Sequence, residues 1–215
     1  MTQPKWKHRR KVTAPELERI GLGKRFWNAK LSKILPRPGK KDRDLRHVIQ
    51  RWIENLPRMA RNGWGLYLWG DNSTGKSYAV AVCAKAAYVY GLSVFIITAD
   101  QLKEAIIHHT IWDEVEHQKV IERCSTVDVL VVEDLGKEYK GSGSGFSEIS
   151  LENLLRVRSQ NCRITLATSN LSPKQFKEVY GKSAGELARA MMKEIEAAGT
   201  NFRVGEQAVL QEEFK

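Results

Sequence analysis

The sequence predicts an α/β fold, a parallel sheet with helices packed on both faces. Three observations predict it. Helical and strand-like patterns alternate along most of the chain. An apolar strand runs into a glycine-bounded loop and then a long helix over residues 66–90. Residues 129–132 form a continuous apolar run, as strands buried on both faces tend to do.

Each element has its own signal. Residues 1–20 read as a basic arm with a short helix beginning near Ala14-Pro15-Glu16. Pro36, Pro38 and Gly39 mark a connection over 35–39. Leu45, Val48, Ile49, Trp52, Ile53 and Leu56 then fall at i, i+3, i+4, i+7, i+8 and i+11. That is the apolar stripe of one amphipathic helix, capped by Asp42 or Asp44. Four strands are expected, over 66–69, 93–98, 127–132 and 164–168. Between and after them lie helices. One runs over 76–90 and stops at Gly91; one starts at Gln101 with Asp100 as its cap; others cover 112–123 and 147–159. Ser172-Pro173 opens another, with Ser as cap and Pro at the first helical position. A final helix is expected over 184–197, ending at Gly199. No internal repeat is visible.

The chemistry sits at strand ends. Gly70-Asp71-Asn72-Ser73-Thr74-Gly75-Lys76-Ser77 is a complete G-x-x-x-x-G-K-S phosphate loop between a strand and a helix. Its glycines let backbone N–H groups turn inward around phosphates, and the helix directs its positive end at them. Lys76 supplies a point charge for the β- and γ-phosphates, and Ser77 a hydroxyl for Mg²⁺. Val129-Leu130-Val131-Val132 then delivers Glu133 and Asp134 to the edge where open parallel sheets bind ligands. One carboxylate holds Mg²⁺; its neighbour polarises the attacking water. The strand at 164–168 leads into Ser169 and Asn170, and Asn170 can hydrogen-bond a water or the γ-phosphate.

Composition narrows the setting. The 215 residues carry 35 Lys+Arg and 25 Asp+Glu, a net +10. Residues 1–60 hold 17 basic and 5 acidic side chains; residues 61–215 hold 18 and 20. The excess thus belongs to the first quarter, either an arm that meets a polyanion such as DNA or a solvated tail. Trp6 and Trp27 lie within it, as base-stacking faces or as anchors onto the core. No apolar run is long enough to cross a membrane, and no secretory signal is expected. Cys83, Cys124 and Cys162 are too scattered for a disulfide framework or a CxxC zinc site, which suggests a reducing cytoplasmic location.

Taken in order, these motifs resemble the DnaC/IstB-like group of AAA+ ATPases, which holds replicative-helicase loaders and the ATPase partners of certain transposases. Further stretches are similar: Arg25-Phe26-Trp27-Asn28-Ala29, Gly65-Leu66-Tyr67-Leu68-Trp69-Gly70, Leu135-Gly136-Lys137-Glu138, Leu154-Leu155 with Arg158, Ser169-Asn170-Leu171, and Gly199-Thr200-Asn201-Phe202-Arg203. The resemblance spans about 22–203. It implies an AAA+ P-loop fold over 22–215, behind a basic arm over 1–21, with a reduced or absent lid. It implies ATP and Mg²⁺ as cofactors. The phosphate-loop residues, Glu133, Asp134 and Asn170 would form the nucleotide site, with Ser77 and Glu133 at the metal. Arg189 matches an arginine that acts as a finger into a neighbouring subunit's ATP, and Arg158 is a second candidate for such a role. Expected partners are DNA without sequence preference, other copies in a ring, spiral or filament, and either a replicative helicase or a transposase. No membrane partner is expected.

Three departures from the group's pattern shape these expectations. Glu133-Asp134 stands where the group has Asp-Asp or Asp-Glu, which places the shorter acid at the base position and implies slow hydrolysis. Only about twenty residues precede the core, where loaders carry a helicase-binding domain. The chain ends soon after Arg203, before a full helical lid. Elsewhere, His109, Asp113 and His117 lie at i, i+4 and i+8, a spacing that suits a metal or simply a solvated helix face. Lys103, His108, Lys119 and Arg123 are candidates for DNA phosphates. The Gly/Ser loop over 140–145 is either a contact or a connection. A P-loop metabolic kinase is the competing class, though it gives no reason for the basic first quarter.

Overall fold

The computed structural model describes residues 12–34, 44–112, 115–137 and 147–197. Its centre is a five-stranded, wholly parallel sheet: β1 (Gly65–Trp69), β2 (Val94–Thr98), β3 (Val129–Leu135), β4 (Ile164–Ser169) and β5 (Met192–Glu196). Their spatial order is β2-β3-β4-β1-β5. Alternate residues of each strand feed two cores. Leu66, Leu68, Val129, Val131, Ile164 and Leu166 point to one face, where they meet α2 (Leu45–Glu54), α3 (Leu56–Asn62) and α4 (Lys76–Tyr90). Tyr67, Leu130, Val132 and Ala167 point to the other. There they meet α5 (Ala99–Trp112), α6 (Val115–Thr126), α7 (Ser147–Gln160) and α8 (Pro173–Met191). Both faces are covered, as the apolar runs predict.

The short helix α1 (Ala14–Arg19) and two 3₁₀ turns, Lys24–Phe26 and Leu31–Lys33, are packed rather than free. Leu17, Ile20, Leu22, Ala29 and Ile34 are all buried in the first core. The Ile20 carbonyl accepts from the Ile96 N–H at 2.8 Å, so the segment covers the outer edge of β2. Gly21 follows with φ +85°, and a Cβ there would lie 2.3 Å from the Ile96 carbonyl oxygen. Lys85 of α4 donates to the carbonyls of Trp27 and Ala29. Trp27 donates its indole N–H to the Leu22 carbonyl at 2.9 Å, which makes it an anchor onto the core. The packed unit therefore begins before residue 22. Residues 1–11, with Trp6, lie outside the described residues.

Several boundaries differ from the sequence expectation. The amphipathic stripe over 45–56 is buried as predicted, but it belongs to two helices that break at Asn55, just before Pro57. Of the two candidate caps, Asp44 accepts from the Arg46 N–H at 3.2 Å. Asp100 is not a cap. Thr98 and Gln101 exchange the reciprocal hydrogen bonds of a capping box, and Asp100 sits inside the first turn. The largest change is at the end. The expected helix over 184–197 is instead the second half of α8, which kinks at Gly181 (φ 82°), followed by β5. β5 pairs with β1 from Gly65–Met192 to Trp69–Glu196. Its residues favour helix locally, and the open edge of β1 overrides that preference. The 35–39 connection, the 140–145 loop and the 199–203 stretch lie outside the described residues.

Candidate functional site

The C-terminal ends of β1, β3 and β4 bring the predicted residues together. Gly70 leaves β1 with φ +135°, under the Ala197 carbonyl, where a Cβ would approach to 2.8 Å. The Ala197 N–H donates to the Trp69 carbonyl, so the chain after β5 crosses above the start of the loop. Ser73 takes φ 63° and Gly75 φ 89°, left-handed conformations that turn successive N–H groups inward into an anion-binding nest. Thr74 braces the loop by donating to the Asp71 carbonyl at 2.9 Å. Asp71 and Asn72 are exposed at its tip.

Lys76 is only 6% exposed. Its Nζ donates to the carbonyls of Gly70 (2.7 Å) and Asp71 (2.6 Å) and to Asn170 Oδ1 (3.1 Å). Burial holds its ammonium below the ordinary lysine range, opposed by the Asp134 charge. Asn170 donates its amide N–H to Asn72 Oδ1 at 2.9 Å. Asn170 thus joins the end of β4 to the loop and to its lysine.

The acidic pair divides its duties by geometry. Glu133 is hydrogen-bonded to the Ser77 hydroxyl. Burial and the Asp134 charge push its carboxyl up to about 7; Ser77, Lys137 and Arg25 pull the other way. Asp134 sits at a register shift between Val132 and Leu135 with φ 62°, strained for a non-glycine residue. Its N–H donates to Thr168 Oγ1 at 3.0 Å, and its carboxylate accepts from Lys137 Nζ at 2.6 Å. β3 therefore continues through both acids rather than ending before them.

The donor set fits a nucleotide with Mg²⁺. A hydroxyl and a carboxylate already in contact are hard oxygen ligands. The raised Glu133 carboxyl marks a place where a cation would restore the charged form. The inward nest and Lys76 match phosphate chemistry. Ser77 and Glu133 are the residues that would hold the metal.

Other expectations resolve differently. Arg158 is not a nucleotide- or interface-facing residue, because it is fully buried. Its guanidinium donates to the carbonyls of Cys124 (2.6 Å), Val127 (3.0 Å) and Ile164 and to Thr165 Oγ1 (3.0 Å). It clamps the α6–β3 connection to β4, and burial lowers its pKa to about 10. Sequence reasoning missed this because the partners are backbone groups distant in the chain. Arg189 is exposed and lies just before β5, at the opposite end of the sheet from its own phosphate loop. Arg123 packs over the Phe95 ring at 4.0 Å and donates to the Arg19 carbonyl; Lys119 pairs with Glu116. Of the His109, Asp113 and His117 spacing, His109 falls on α5 and His117 on α6. Asp113 and the side chains of His108 and His109 lie outside the described residues. Among the described residues no group of three metal-ligating side chains forms, and no helix is long and apolar enough to cross a membrane. Arg25, in the stretch 25–29, carries a charge that reaches Glu133.

No family model matches the chain, and no curated protein matches it in sequence. Solved structures do match in fold. A DnaI structure superposes with TM-score 0.65 at 23% identity, covering 81% of this chain and 93% of that one. The DnaC helicase loader gives 0.66 at 21%, covering 81% and 99%. The replication initiator DnaA bound to AMPPCP and single-stranded DNA gives 0.61 at 17%, covering 79% and 50%. With the sheet order and the strand–loop–helix site, these likenesses identify the fold as that of an AAA+ P-loop NTPase.

Proposed function

We propose that this chain is an ATP-dependent, DNA-binding assembly ATPase that acts in DNA replication in the manner of a helicase loader. The observation that carries the reading is the constellation at the sheet's C-terminal edge, where Lys76 donates to Asn170 and Ser77 is hydrogen-bonded to Glu133. The likeness in fold to the DnaC helicase loader and to DnaA bound to AMPPCP and single-stranded DNA supports the replication setting.

Bound ATP with Mg²⁺ would supply the reactive γ-phosphoryl group and charge neutralisation at this edge. The chain's own residues do the rest. Lys76 exchanges the Gly70 and Asp71 carbonyls for phosphate oxygens. Glu133, in its ionised form, would hold the metal together with Ser77. Asp134 takes a proton from the attacking water, and Asn170 orients that water. The Asp134–Lys137 pair must loosen for this, and Asp is a methylene shorter than Glu, so turnover is slow. Arg189 stabilises developing charge in a neighbouring copy's site, which makes hydrolysis depend on assembly. The basic residues over 1–11, ahead of the packed α1, add sequence-independent DNA affinity that falls steeply with salt.

The test is DNA-dependent ATP hydrolysis with particle mass followed in parallel, with and without a non-hydrolysable ATP analogue. Analogue-driven growth in mass and DNA-stimulated turnover are expected. Phosphotransfer to a small molecule, without either, would replace the reading with a metabolic kinase. Pull-downs against a replicative helicase and a transposase separate loading from transposition.

A further inference from the structure

The strand that delivers the two acids is irregular at the point of delivery. β3 and β4 pair in register up to Val132 opposite Ala167, and pairing resumes at Leu135 opposite Ser169. Two residues of β3, Glu133 and Asp134, therefore lie against one residue of β4, Thr168. That is a bulge, which re-aims side chains at the cost of ladder hydrogen bonds. In an unbroken strand Glu133 and Asp134 would point to opposite faces of the sheet. Here Asp134 takes φ 62°, and its charge acts on both Lys76 and Glu133.

Two hydroxyls of β4 replace the bonds that the ladder loses. The Asp134 N–H donates to Thr168 Oγ1 at 3.0 Å. Ser169 Oγ donates to the Leu135 carbonyl at 2.6 Å and accepts from the Leu171 N–H at 2.9 Å. Both side chains are 0% exposed, so solvent does not supply a replacement. The Asp134 carbonyl accepts from the Lys137 N–H at 3.2 Å. Both backbone groups of Asp134 are thus held, one of them by the Thr168 side chain. An apolar side chain at 168 would leave the N–H without its acceptor and the strained backbone without its tie.

We infer that Thr168 is a positioning residue for ATP hydrolysis: its hydroxyl fixes the bulge in which Asp134 turns its carboxylate toward the nucleotide, and Ser169 secures the far side of the same bulge. This rests on the reading above of Asp134 as the group that takes the water's proton. Three consecutive residues at the end of β4 then divide the work. Thr168 and Ser169 set the acid, and Asn170 reaches Lys76. The hydrogen bonds that brace the loop and seat Lys76 run through other residues, so nucleotide affinity is independent of Thr168.

The experiment follows ATP hydrolysis by the full chain, titration with a fluorescent ATP analogue, and thermal unfolding. Thr168→Val keeps the shape of the side chain and removes the acceptor. Its turnover at saturating ATP should fall at least about tenfold, with KM and analogue affinity within about twofold of wild type. Thr168→Ser keeps the hydroxyl and should recover at least about half of the wild-type turnover. Asp134→Asn removes the group being positioned. Adding Thr168→Val to it should cost less than about twofold more, because a residue that acts through Asp134 then has nothing to act on. Thr168→Ala serves in place of Val if the extra methyl crowds the bulge. Wild-type turnover in Thr168→Val overturns the inference, as does an equal loss of affinity and turnover. A full additional loss in the double variant, or no recovery in Thr168→Ser, also overturns it. Unfolding of both the Val and the Ala variant does the same, since Thr168 then supports the whole sheet rather than Asp134. Unimpaired turnover in Asp134→Asn overturns the reading of Asp134 beneath the inference, whatever Thr168→Val does. A wild type that neither binds nor hydrolyses ATP overturns the ATP reading itself.

Discussion

The two ends of the central sheet differ in how their charge is settled. At the C-terminal end, the charged side chains that reach the site have partners within the chain: Lys76 has carbonyls and Asn170, Glu133 has Ser77, and Asp134 has Lys137. At the N-terminal end, the four cations Arg51, Arg58, Arg189 and Lys193 share a cleft with no acid in its lining. The first end is held in place by its own internal hydrogen bonds. The second carries exposed cations with no carboxylate beside them in its lining. The same strands thus carry an internally paired end and a cationic one, and substitutions at each should have separable effects.

The sharpest break comes at the loop. Lys76→Ala should lower hydrolysis by about 10³-fold or more, because phosphate charge is then left uncompensated in a buried site. Nucleotide affinity, measured by equilibrium titration, should fall with it. Next is a change at neither end. Arg158→Met should leave the carbonyls of Cys124, Val127 and Ile164 without their donor and destabilise the fold by about 3 kcal/mol. Calorimetry should show Tm falling by roughly 6–12 °C, with nucleotide affinity of the folded chain unaltered. Asp134→Asn should retain nucleotide binding and analogue-driven assembly while turnover drops about 10²-fold. Equal losses of binding and turnover would mean that the two acids do not divide their roles.

The smallest effect is one of pH. The folded Glu133 carboxyl titrates near 7, above its ordinary 4.5. The folded chain therefore holds a proton that the unfolded chain has released between those values. Its contribution to stability is present below about 4.5 and is lost as pH rises through about 7. Metal binding has the opposite sign, since the carboxylate must be ionised. The rise in Tm caused by Mg²⁺ and nucleotide should be larger at pH 8 than at pH 6, with affinity falling about tenfold per unit below 7.

The two ends also differ in how legible they were. The loop end follows from local rules: a glycine-bounded loop, an apolar strand delivering acids, and a strand running into Asn170 all converge because parallel strands end on one edge. The cleft obeys no local rule. Arg51, Arg58 and Arg189 are brought together by β5, and β5 was legible only as helix. The residues Met192–Glu196 have good helical propensity, and the edge of β1 that recruits them lies far away in the chain. Arg158 was hidden for a similar reason, since a carbonyl leaves no mark in a sequence. The left-handed turn at Asp134 is likewise a product of the register shift between β3 and β4 rather than of its own residue type.

The hydrogen bond between Ile20 and Ile96 bears on how the basic arm can be studied. A truncation drawn from charge alone would remove residues 1–20. That cut would also take Leu17 and Ile20 out of the core, strip the cover from β2 and release Arg123 from the Arg19 carbonyl. Any loss of DNA binding would then be confounded with partial unfolding at the sheet's edge. A shorter cut, ending at residue 11, removes five Lys and Arg side chains and spares every one of these contacts. Only that version reads out the arm.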